Sequence, residues 1–241
     1  MRNLDKHEIQ KRFDEHKKLH NFEVDTLFNV QDLSEIQYRY LTIGIRYQGI
    51  YDIESSDFNP SQNFIIGYCF IIRDILTGKI EKFEDAITKQ DIKKAVSNDN
   101  FNFDLRLLEN LSRCISNCNQ VVGHYSTKFD TPYFRTRCLL VNRPDLIPDY
   151  SRIYQGDTWR MMKTSMKAPR NTLKNLAIYT NTPDKKTFVD YEHWRRIYFS
   201  SNPKWATSMK YIMDHCRADV DMTYKALMKI EKFNNISRVL V

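Results

Sequence analysis

The period of apolar and polar positions changes along the chain. From Gln48 to Glu54, Ile50, Asp52 and Glu54 fall on one face and Tyr51 and Ile53 on the other, the two-residue alternation of a strand. Asp57-Phe-Asn-Pro60 is a turn. Phe64 to Ile72 is almost continuously apolar, as a strand buried on both faces would be. Thr77-Gly78 turns the chain into a third strand, Lys79 to Phe83. The period then lengthens. Leu105, Leu108, Leu111 and Ile115 recur at helical spacing. Gln120 to Gly123 is short and β-branched, a strand, and Thr131-Pro132 opens a helix with proline in its first turn. Ile153 to Thr158 reads as a fifth strand, and Asn171 or Thr172 as the cap of a helix holding Leu173, Leu176 and Ala177. A closing helix runs from about Lys204 to Phe233. A hairpin followed by α-β-α-β-α predicts an α/β domain around a mixed sheet over residues 46–241. Residues 1–45 form an N-terminal extension, in which residues 1–25 read as a charged helix, with a thin stripe at Ile9, Phe13 and His16, followed by a short extended piece. Such a helix is an accessory arm rather than core.

Composition narrows the class. The chain has 241 residues, 41% hydrophobic and 13% aromatic, enough to bury one continuous core. No run approaches the roughly 18 apolar residues of a membrane span, and no signal-like apolar region follows the charged N-terminus. Cys69, Cys114, Cys118, Cys138 and Cys216 are odd in number and form no C-x-x-C pair. They read as reduced, buried thiols of a cytoplasmic protein. Net charge is +7, and residues 128–210 hold 16 Lys/Arg against 7 Asp/Glu. Positive charge concentrated in one segment points to an anionic partner, nucleic acid above all. An ordinary solvated basic face is the alternative.

Three acidic placements change the picture more. Ile212, Cys216, Val220, Thr223, Leu227 and Ile230 define the buried stripe of the closing helix, and Asp219 lies within it. His215 precedes Asp219 by four residues, one turn away. A buried carboxylate costs several kcal/mol unless it is paired or holds a metal. Asp52 and Glu54, two apart on the first strand, point the same way. Asp130 follows a short strand at the start of the next helix, where a helix cap is the plain alternative. Four acids from three segments, gathered at one end of a sheet, repel one another unless cations lie between them. Hard oxygen ligands select Mg²⁺ or Mn²⁺.

These segments resemble the DEDD 3′→5′ exonucleases of the ribonuclease-H-like superfamily. Tyr-Asp52-Ile-Glu54-Ser is similar to the first motif, Gly123-His124 through Phe129-Asp130 to the second, and His215-Cys-Arg-Ala-Asp219-Val to the third. The third is nearest the Tyr-Cys-x-x-Asp-Val form of the tyrosine subgroup, found in family B polymerase proofreading domains and related stand-alone nucleases. Asp157-Thr-Trp and Leu173-Lys-Asn-Leu-Ala177 also resemble the stretch between the second and third motifs. The likeness covers about residues 46 to 232. Two positions depart from the pattern: His215 stands where that subgroup has Tyr, and His124 where many relatives carry Asn.

The resemblance implies a ribonuclease-H-like mixed five-stranded sheet flanked by helices. It also implies hydrolysis at free 3′ ends, single-stranded DNA favoured over RNA, with two Mg²⁺ or Mn²⁺ ions. Two such ions supply the nucleophile, charge stabilisation and help for the leaving oxygen. Asp52 would bridge them, Glu54 and Asp219 would share the ion that activates water, and Asp130 would help hold the other. His215 would orient or deprotonate the water. Arg160, Lys163 and Lys167, spaced by three and four, form one cationic face of a short helix that holds phosphates, and Lys174, Arg195 and Arg196 extend it. His124 and Phe129 would contact the substrate. Trp159, Tyr191 and Trp194 are candidates to stack bases, with core packing as the alternative. Two other classes share the scaffold: an endonuclease or junction resolvase, and a nucleic-acid-binding protein without catalysis.

Overall fold

The computed structural model describes residues 33–98, 100, 102–183, 190–199 and 201–233. The charged helix and short extended piece expected within residues 1–25 lie outside them. One sheet organises the described chain, in strand order β3-β2-β1-β4-β5. Its strands are β1 (Tyr47–Ser55), β2 (Ile65–Asp74), β3 (Ile80–Ala86), β4 (Gln120–Gly123) and β5 (Tyr154–Asp157). The first three pair antiparallel, while β4 runs parallel to β1 and β5 parallel to β4. This is the ribonuclease-H-like mixed sheet flanked by helices. Its centre is β1, which explains why Ile50, Tyr51 and Ile53 are all buried. In the antiparallel register Asp52 faces Cys69 and Glu54 faces Gly67.

Helices cover both faces. On one side lie α3 (Leu105–Ser116) and α4 (Asp130–Leu140), packed against each other, with α3 against β2 and β3. On the other lies α8 (Trp205–Ile230), against β1 and β2, itself covered by α6 (Leu173–Tyr179) and α7 (Tyr191–Ile197). Gly67 makes room for α8: a Cβ there would stand 2.5 Å from the Met213 sulfur. The closing helix buries the whole expected stripe, Ile212, Cys216, Val220, Thr223, Leu227 and Ile230, and buries His215 and Asp219 with it.

Several boundaries differ from the sequence reading, for local reasons. The third strand begins at Ile80 and extends to Ala86, because its pairing with β2 continues to Gly67↔Ala86. In α3, Leu107 and Cys114 join the buried face while Leu105 is only half-buried. Cys118 lies beyond that helix. Besides α7, two helices carried no clear apolar period. They are α1 (Glu35–Thr42) and α2 (Lys89–Ser97), each begun by a capping box, Ser34 with Gln37 and Thr88 with Asp91. Within the N-terminal extension, α1 packs Tyr40 and Leu41 with Ile45 and Ile75. Gln37 Nε2 donates to the carbonyls of Ile75 and Leu76 at 3.0 and 3.1 Å.

Candidate active site

The site forms at the C-terminal end of β1. Asp52 and Glu54 are half-buried on the face toward α8. The Cys216 thiol, which α8 delivers to them, lies 3.5 Å from the Asp52 carbonyl and 3.8 Å from its Oδ2. One ligand atom from each of Asp52, Glu54 and Cys216 lies within 4.8 Å of the others, a group able to hold a metal ion. Burial pushes the Cys216 thiol well up, and Cys69, Asp52 and Glu54 push it further. The thiol therefore stays protonated and donates toward Asp52. The anionic donors are oxygens, which suit Mg²⁺ or Mn²⁺. Sequence reasoning placed Cys216 only as packing. The available signal was its place in the His215-Cys-Arg-Ala-Asp219 motif, between the histidine and the acid.

One residue before Cys216 and three after it, α8 carries His215 and Asp219, both buried. The His215 Nε2 lies 3.8 Å from Asp219 Oδ2, as their one-turn spacing dictates. Trp194 of α7 meets the His215 ring edge-on at 6.0 Å between centroids. Trp194 is thus buried packing that fixes the histidine, and not a surface for stacking bases. Tyr191, 67% exposed, stays open to solvent.

Asp130 arrives from the opposite side. β4 ends at Gly123, where a Cβ would come within 3.0 Å of the Tyr51 carbonyl, and the chain turns to begin α4 at Asp130. Phe129, at the N-cap position, makes no side-chain cap. Instead Asp130 Oδ1 accepts the amide of Ile53 at 3.0 Å. Ile53 lies between Asp52 and Glu54, so this bond brings a third acid to the same strand end. Burial pushes the Asp130 carboxyl up to about 7, with the charge of Asp157 adding and the Ile53 amide opposing.

The remaining expected residues are placed as follows. His124 is held at both ring nitrogens, Nδ1 by the Thr158 hydroxyl at 2.9 Å and Nε2 by the Asn171 carbonyl at 3.0 Å. Phe129 is half-buried between Phe58 and Tyr133. Arg160 and Lys163 are exposed on α5 (Thr158–Ser165). Lys167 lies past the end of that helix, so the three do not share one helical face. Arg196 is paired with Glu192, which removes it from any free cationic track, while Lys174 and Arg195 are exposed.

Comparisons with known proteins add the fold and little else. No protein-family model and no curated protein matches the chain. Solved structures do resemble it. The family B DNA polymerase of the hyperthermophilic archaeon Pyrobaculum calidifontis is similar at a TM-score of 0.54 and 16% identity, over 77% of this chain and 24% of that one. The chain thus spans about a quarter of that polymerase's length, and at this identity the likeness is one of fold. Among the described residues no helix is long and apolar enough to cross a membrane.

Proposed function

We propose that the chain is a divalent-metal-dependent 3′→5′ exonuclease acting on single-stranded nucleic acid, DNA in preference to RNA. The observation that carries the reading is the bond from the Ile53 amide to Asp130. It sets a buried, barely compensated carboxylate beside the strand that bears Asp52 and Glu54, on whose other side α8 brings its His215–Asp219 turn through Cys216. Fold similarity to a DNA polymerase agrees with it. Asp52, Glu54, Asp219 and Asp130 would hold the metal ions, which when bound would stabilise charge at phosphorus and lower the pKa of water. Asp52 and Glu54 keep their oxygens together because strand geometry aligns alternate side chains. Cys216 orients Asp52 from below by donating to it. His215, held one turn from Asp219 at 3.8 Å, takes up or steers the proton of the attacking water at a ring nitrogen.

The test uses end-labelled single-stranded DNA, duplex DNA and RNA with Mg²⁺ or Mn²⁺. Shortening from the 3′ end that stops in EDTA, and is abolished by Asp52→Ala in a folded protein, is expected. Cleavage in excess EDTA, or release starting at the 5′ end, overturns the reading.

A further inference from the structure

The loop that delivers Asp130 contains a feature the acids do not explain. Tyr125 has φ of +69°, a left-handed backbone that costs a non-glycine residue on the order of 1 kcal/mol, yet its side chain is 44% exposed. Core packing therefore does not account for the strain. What holds it is Asp157 at the end of β5. This buried carboxylate accepts the Tyr125 amide at 2.9 Å, the Thr127 amide at 3.1 Å, the Thr127 hydroxyl at 2.6 Å and the Trp159 amide at 2.9 Å. The Tyr125 carbonyl in turn accepts the amides of Lys128 and Phe129, both at 3.0 Å. One oxygen of Asp157, Oδ1, thereby fixes the backbones of two aromatic residues that are far apart in sequence. Their rings meet edge-to-face at 5.2 Å and 72°.

One cation lies on this pair, and others neighbour Trp159 in the chain. Lys163 Nζ lies 5.0 Å over the Trp159 ring, and Arg160, Lys167, Arg170 and Lys174 are exposed nearby in the chain. Among the described residues none of these five forms an ion pair. The Asp157 charge is not offered to an incoming anion, because four donors already surround it. We infer that Tyr125 and Trp159, with Lys163, form a preorganised platform that stacks an unpaired nucleobase of a single strand and holds its adjoining phosphate. The inference rests on the exonuclease reading for the nature of its ligand. Tyr125 sits on the same loop that places Asp130 against β1, which ties the platform to the acidic strand end. An exposed aromatic held rigid before binding loses little freedom when a base stacks on it, and such stacking accepts any base.

Tyr125→Gly separates binding from folding, because glycine takes the left-handed conformation without strain. Binding is measured by fluorescence anisotropy in EDTA with two labelled probes, a short oligothymidylate and an abasic oligomer of equal length. The wild-type protein should bind the oligothymidylate more tightly. Tyr125→Gly should weaken that binding roughly 5- to 100-fold, leave the abasic probe unaffected, and keep or raise the melting temperature. Tyr125→Trp should retain the preference, and Lys163→Ala should weaken both probes alike. Equal affinity of wild type and Tyr125→Gly for the oligothymidylate overturns the platform, and so does equal weakening of both probes or no binding at all. A protein that shows base-dependent binding through Tyr125 yet releases nothing with Mg²⁺ or Mn²⁺ refutes the exonuclease reading and leaves the platform standing. Hydrolysis that is indifferent to Tyr125→Gly, with binding unchanged, refutes the platform alone.

Discussion

Asp104 and Asp130 are two buried carboxylates in nearly the same structural situation. Asp104 accepts the amide of Ile65 at the start of β2, at 2.9 Å, and Asp130 accepts the amide of Ile53 in β1, at 3.0 Å. Both are almost fully buried, at 0% and 3% exposure. They differ in what neutralises them. Arg137 forks onto Asp104, Nε to Oδ2 at 2.9 Å and Nη2 to Oδ1 at 2.8 Å. Asp130 stands two turns earlier on the same helix as that arginine, and among the described residues it has no ion-pair partner. Burial alone therefore does not separate an acid that holds the fold together from one suited to chemistry. What separates them is that the protein itself supplies a countercharge to Asp104 and, among the described residues, none to Asp130, which under the proposed function a metal ion would provide.

Removing the cation from the first acid should have the largest effect. Arg137→Ala leaves Asp104 buried and uncompensated, and should cost about 3–5 kcal/mol in denaturant unfolding. Asp130→Asn keeps an oxygen for the Ile53 amide while removing a charge that burial disfavours. At pH 8, without divalent ions, it should leave the fold unchanged or more stable, while abolishing metal-dependent turnover. Equal destabilisation by the two substitutions would break the comparison.

The pH dependence sharpens it. The Asp130 carboxyl is pushed up to about 7 in the folded protein, against about 3.9 in an unfolded chain. Between those values the folded state binds more protons, so its stability falls as pH rises. The loss begins near pH 4 and is complete somewhat above pH 7, and it is on the order of a few kcal/mol. In thermal melts without metal, Asp130→Asn should flatten this fall selectively. Adding Mg²⁺ or Mn²⁺ at pH 8 should restore stability to the wild type and do less for the variant. A wild-type melting temperature that climbs between pH 5 and pH 8, with no difference in the variant, contradicts the countercharge account.

The sequence showed one side of this contrast and hid the other. The alternation in β1 and the stripe of α8 are uninterrupted, so Asp52, Glu54 and Asp219 stood out as acids at positions where apolar residues belong. Asp130 was readable as the first residue of a helix, but not its bond to Ile53. That contact spans 77 residues and depends on β1 and β4 lying side by side. The Asp104–Arg137 pair and the Asp157 strap are long-range in the same way, and no local period reports them. Cys216 was hidden for another reason: a buried thiol fits an apolar stripe whether or not it also touches a carboxylate. The helices α1, α2 and α7 were missed because each buries only two side chains, too few to set a period. Lys167 was given to the helical face of Arg160 and Lys163 by spacing alone, although α5 stops at Ser165.

The same contrast extends to the cations, where the expected effect on the fold is smallest. Arg137 is buried against Asp104, whereas Arg160 and Lys163 are exposed on α5 without an ion pair among the described residues. An exposed charge with no ion-pair partner contributes little to folding, so Lys163→Ala and Arg160→Ala should each move stability by less than about 0.5 kcal/mol. If these side chains hold phosphates, each loss releases one fewer counterion when a strand binds. The slope of log affinity against log salt should then flatten by roughly 0.7 per substitution on single strands. Lys167, displaced from the helix, tests the geometry as well as the charge. Should Lys167→Ala flatten the slope as much as the other two, the strand follows the chain beyond Ser165. A change confined to Arg160 and Lys163 confines the track to the helix and its Trp159–Tyr125 edge. Unchanged slopes for all three make this an ordinary solvated face, and the countercharge distinction then belongs to the acids alone.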